Sequence, residues 1–67
     1  MPLYFFVLEG PDGTDDDESG TECRSDCVAR KYAERIVSEL KAAGYDDHRQ
    51  KLIVKNTEGD VVHVISF

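Results

Sequence analysis

Residues 51–67, KLIVKNTEGDVVHVISF, hold two apolar, β-branched runs on either side of Asn56-Thr57-Glu58-Gly59-Asp60. Runs of this composition bounded by turn residues form strands, here Lys51–Lys55 and Val61–Phe67. Gly59 can supply the positive φ of a type I turn followed by a G1 bulge, so the two strands close into a hairpin. An antiparallel pair therefore seeds the sheet.

Upstream of the hairpin, Ala29, Tyr32, Ala33, Ile36, Leu40 and Ala43 recur at helical spacing. They mark one apolar stripe, flanked by Val28 and Val37, on a helix of about five turns. Ser25 is its N-cap, Asp26 adds negative charge to the first turn, and Gly44 ends it as the C′ residue. Arg30/Glu34, Lys31/Arg35 and Arg35/Glu39 fall on its solvent side. Further upstream, Leu3–Glu9 (LYFFVLE) has no internal Gly or Pro and is a strand apolar on both faces, Leu3/Phe5/Val7 and Tyr4/Phe6/Leu8. Gly10-Pro11-Asp12-Gly13 is a turn, and residues 14–18 form at most a short, irregular edge strand. The predicted fold is α+β: a three- to four-stranded antiparallel sheet with one helix on one face, in the order β-(β)-α-β-β. Residues 1–67 make a single small domain, burying only about 60% of the surface its unfolded chain exposes.

One helix covers one sheet face. The first strand is apolar on both, and simple alternation in the last puts Val62/Val64 on one side and Val61/Ile65/Phe67 on the other. Aromatic side chains bury about 150–250 Å² each, so a bare face of Tyr4, Phe6, Leu8, Ile65 and Phe67 would exceed the few hundred Å² of a usual soluble monomer. That set is the predicted self-association surface of a homodimer, packed through the second face or along an edge strand. The competing expectation is that the acidic loop folds across that face.

The net charge of −6 is unevenly placed. Residues 1–26 carry eight acids against Arg24 alone, a balance of −7, and the rest of the chain comes to +1. An acidic lobe built from Asp15, Asp16, Asp17, Glu18 and Glu22 repels phosphates, which disfavours direct nucleic-acid binding and favours a cation or a basic protein. The longest apolar run, Leu3–Leu8, is far short of the roughly 20 residues of a membrane span and lacks a secretory flank. A cytoplasmic protein with no membrane partner is expected.

Within TDDDESGTECRSDC, residues 14–27, a calcium loop can be traced through Asp15, Asp17, Ser19, the Thr21 carbonyl and Asp26, with Gly20 at the sharp turn. It departs from the usual pattern in ending on the shorter Asp26, in carrying Glu22 where an apolar residue belongs, and in lacking an entering helix. No cofactor is expected, calcium at this loop being the alternative. Cys23 and Cys27 flank the helix start as C-x₃-C, a weak redox motif. The favoured alternative makes Cys23 a small buried hydrophobe anchoring the passage into the helix, with Cys27 incidental. Cys23, Cys27, His48 and His63 have suitable zinc chemistry without a zinc-site spacing. Nothing converges for catalysis: there is no nucleophile with a placed base, and no phosphate loop.

MPLYFFVLEGPDG, DDESGTE, the Ala29-Arg30 helix start and LIVKNTEGDVVHVISF together resemble a family of short bacterial proteins of unknown function. Its members open with an MPRYFF-like strand, continue through an acidic D-x-x-G-x-E segment and end in an antiparallel hairpin. Leu3 stands where that group usually has Arg, and Cys23 where it usually has Leu, which favours the buried role for Cys23. The resemblance implies no activity. The element order also looks like that of small antitoxin domains that inhibit basic RNA-cleaving toxins, an analogy of fold alone. The function expected is a non-enzymatic protein-interaction module. The alternatives are a calcium or metal domain using the 15–26 loop, an antitoxin-like binder of a basic partner, and a thiol switch.

Overall fold

A computed structural model describes residues 2–45 and 47–67. The elements run β1 (Leu3–Gly10), β2 (Gly13–Asp15), β3 (Thr21–Glu22), α1 (Asp26–Ala42), β4 (Lys51–Lys55) and β5 (Val61–Ser66). The fold is α+β, one antiparallel five-stranded sheet with a single helix. β1, the most apolar strand, lies inside it. One edge of β1 pairs with β4 from Phe5↔Lys55 to Glu9↔Lys51. Its other edge is shared by β2, opposite Leu8–Gly10, and β3, opposite Leu3 and Tyr4. β5 follows β4 and ends the sheet. Of the edge strand expected over 14–18 only the start is formed, in β2; the chain leaves the sheet after Asp15 and returns at Thr21 as β3, a piece outside the expected range.

The helix begins where the N-cap chemistry places it. Ser25 is extended, with φ −159° and ψ 170°, and its Oγ accepts a hydrogen bond from the Val28 N–H at 3.3 Å. At the other end Gly44, φ +102°, donates to the Lys41 carbonyl at 3.1 Å, and Tyr45 N–H reaches the Leu40 carbonyl at 2.9 Å. Those two bonds form a Schellman motif, which requires the left-handed conformation at C′ and hence a glycine. The buried stripe is Ala29, Ala33 and Val37, with Ile36 and Leu40 half-buried beside it. It is rotated from the expected stripe, because Tyr32 and Val28 remain 43% exposed and Val37 takes the central position. Two alanines with no exposed surface let the helix lie close to β4 and β5. Tyr32 lies instead at the margin, its ring 5.2 Å from that of Phe6 at 52°.

The β4–β5 turn has the expected geometry. Gly59 has φ +84°, its N–H donates to the Asn56 carbonyl at 3.1 Å, and Asn56 N–H donates to the Asp60 carbonyl at 3.0 Å. Asn56 Oδ1 also accepts from the N–H groups of Glu58 and Asp60, each at 3.0 Å. One further irregularity follows. His63 pairs with Val54 and Val61 with Lys55, leaving Val62 as an extra residue in a β-bulge. Residues paired across a ladder share a face, so Ile65, opposite Leu52, points toward the helix while Val61, opposite Lys55, points away. Simple alternation had put Val61 and Ile65 together; the bulge separates them.

Tyr4, Cys23, Ala29, Ala33, Val37, Leu52, Val54 and Phe67 form the core between sheet and helix, with Phe6, Leu8, Ile36, Leu40, Val62 and Ile65 packed against it. The face predicted to be bare, Tyr4, Phe6, Leu8, Ile65 and Phe67, is therefore the face the helix covers. The side away from the helix carries Phe5, Val7, Ile53, Val61 and Val64, of which Val7 is buried, Phe5 and Ile53 are half-buried, and Val61 and Val64 are exposed.

Candidate functional site

The acidic segment is organised by one carboxylate. Asp17 Oδ2 accepts from the Phe6 N–H at 3.3 Å, and Oδ1 accepts from the Gly20 N–H at 3.0 Å. Phe6 lies along the stretch of β1 left without a strand partner between β2 and β3, so the carboxylate stands in for the missing carbonyl. Gly20, φ +77°, turns the chain back, and a Cβ there would come within 3.0 Å of the Phe5 ring. The Gly20 turn thereby packs against Phe5, on the sheet face opposite the one across which the acidic loop was expected to fold. Asp17 and Gly20 are the D-x-x-G of the acidic motif, and in this fold they serve as backbone chemistry.

The remaining acids point outward. Asp12, Asp15, Asp16, Glu18 and Glu22 are exposed. Ion pairs among the described residues join Arg35 to Glu39, Asp47 to Arg49 and Glu9 to Lys51, and none reaches those five or Asp17.

The calcium set is not assembled. Asp15 belongs to β2 opposite Leu8, Asp17 is committed to two backbone donors, Ser19 and Thr21 lie on either side of the Gly20 turn, and Asp26 serves Tyr4. Among the described residues no three or more His, Cys, Asp or Glu side chains are grouped to hold a metal ion. The physical reason is that the two strand pieces stretch the loop along β1 instead of coiling it round a centre. By the same finding Cys23, Cys27, His48 and His63 do not form a metal-binding group among the described residues.

Asp26 has a different task. The Tyr4 hydroxyl donates to its Oδ1 at 2.5 Å, fastening the first turn of α1 to the start of β1. That bond, reinforced by burial and the neighbouring carboxylate charge, pushes the Tyr4 phenol up to about 12. Sequence inspection missed this pair because the two residues are twenty-two positions apart. Cys23 is buried, its N–H donating to the Pro2 carbonyl at 3.1 Å, and burial raises its thiol. Cys27 is exposed on the helix, and both cysteines are free. Cys27 shares a groove of about 200 Å³ with Asp26, Arg30, Val62 and His63. That grouping was hidden from sequence inspection by the distance between helix and hairpin.

A helix laid on an antiparallel sheet whose acidic segment borders β1 defines a small α+β domain with two unlike sheet edges. The family model described as Domain of unknown function (DUF6894) matches residues 3–67, and the chain belongs to that family. No curated protein and no solved structure gives a significant match. No helix among the described residues is long and apolar enough to cross a membrane.

Proposed function

We propose that this domain is a non-enzymatic protein-interaction module whose acidic lobe meets a basic protein partner. The observation that carries this reading is the set of outward-facing carboxylates at Asp12, Asp15, Asp16, Glu18 and Glu22, without an ion pair among the described residues. Asp17 anchors the segment from beneath, so the charges are held against the sheet edge. Pre-ordered carboxylates steer a cationic partner and reduce the ordering cost of binding it. An antitoxin-like role would be one instance, with a basic RNA-cleaving enzyme as the partner.

Titration with an oligoarginine peptide tests the proposal. Binding should weaken steeply as salt rises and should be lost in the triple variant Asp15→Asn, Asp16→Asn, Glu18→Gln, which spares Asp17. Equal binding by the triple variant, or no binding at low salt, would remove the acidic lobe as the partner surface.

A further inference from the structure

We infer that a second copy of this chain pairs along the outer edge of β5, joining two sheets into one across a two-fold axis. The inference completes the interaction-module reading by naming a second partner surface, and it stands on separate observations. β5 ends the sheet, so one row of its backbone groups has no strand partner among the described residues. Phe67 N–H turns inward, donating to the Gln50 carbonyl at 3.1 Å. Backbone groups alternate along a strand, so those of Ser66 and Val64 face outward. The chemistry that satisfies such a row is another extended strand.

Charge selects which strand. Val61–Ser66 (VVHVIS) contains no Lys, Arg, Asp or Glu, in a chain of net charge −6. Copies that repel one another elsewhere can approach along this edge. In the joined sheet the order runs β2-β1-β4-β5 and then the reverse, which places the two β2 edges seven strand spacings apart. At about 4.8 Å per spacing that is roughly 34 Å, several times the Debye length of about 10 Å at 0.1 M salt. The two acidic lobes are then screened from each other. Val64 and Val61, 45% and 56% exposed, project from this strand on the side away from the helix, where cross-strand neighbours from the second copy would pack beside them.

The opposite sheet edge explains why pairing stops at two. There β1 is bordered by strands of three and two residues, and the Phe6 N–H is already taken by Asp17. Short, acidic, self-capped edges resist strand addition. Only the β5 edge remains, and an isologous contact closes.

Sedimentation equilibrium from 10 µM to 1 mM tests the inference, with the mass expected to double from 7.5 kDa. Val64→Pro should hold the chain at the monomer mass with an unchanged circular dichroism spectrum, since an outward N–H at an edge is a position that tolerates proline. If that variant unfolds, Val64→Glu, which keeps the N–H but sets two like charges near the axis, should give the same loss. A wild-type mass that stays monomeric at 1 mM would overturn the inference, as would doubling that survives in a folded variant. Oligoarginine binding is read on dilute wild-type chain, so failure of self-pairing and failure of the acidic lobe as a partner surface remain distinguishable.

Discussion

Asp17 shows how one side chain can be mistaken for a ligand when its acceptors are needed by the backbone. Its two oxygens serve Phe6 and Gly20, so Asp17→Ala would leave two backbone donors unpaired, a loss of about 1–3 kcal/mol each in a site water cannot fully reach. Denaturant unfolding should show that loss, with Asp17→Asn, which keeps one acceptor oxygen, losing less. Calcium at millimolar concentration should leave the wild-type melting temperature unchanged, because the carboxylates it would need are apart. Tyr4 supplies a pH signature. Its phenol is raised from the usual 10 to about 12 in the folded chain, so the native state holds this proton more tightly than the unfolded state. The stabilisation is complete below pH 10 and declines as pH climbs from 10 through 12. Unfolding measured across that range should show a decline that Asp26→Asn reduces. The Asp17–Gly20 bond is local and falls within the D-x-x-G motif, but the bonds of Asp17 to Phe6 and of Tyr4 to Asp26 join residues that only the folded sheet brings together.

At the scale of elements, legibility followed locality. Ser25, Asp26 and Gly44 bound the helix and Gly59 fixes the hairpin turn because capping and turn chemistry depend on neighbours a few positions away. Gly44→Ala should cost about 1 kcal/mol, since the Schellman geometry forces a left-handed φ at that position. The exact buried stripe and the faces of β5 were less legible. Tyr32 is large and apolar in sequence yet sits at the helix margin, while Val62 is pushed out of register by a bulge that carries no proline or glycine to announce it. That single extra residue reverses the face of Val61, and with it the inventory of apolar groups on the side away from the helix. Ala33, which has no exposed surface under the helix, gives an independent check of the packing. Ala33→Leu should overpack the helix–sheet contact and destabilise the fold by about 1–3 kcal/mol in thermal or chemical unfolding.

Across the whole molecule the two edges of the sheet have opposite characters. One is short, acidic and closed by a carboxylate; the other is six residues long, uncharged and open. The imbalance of charge between the first 26 residues and the remainder was plain from composition, but which strand bordered which could not be, because strand order depends on long-range pairing. The central claim is that the closed edge is satisfied within one chain while the open edge is satisfied by another. Amide hydrogen exchange, followed residue by residue on dilute and on concentrated samples, tests it directly. The Phe6 amide should exchange slowly at both concentrations, and the amides of Val64 and Ser66 should change from fast to slow as concentration rises. Fast exchange at Phe6 in the dilute chain, or exchange at Val64 and Ser66 that ignores concentration, would contradict it.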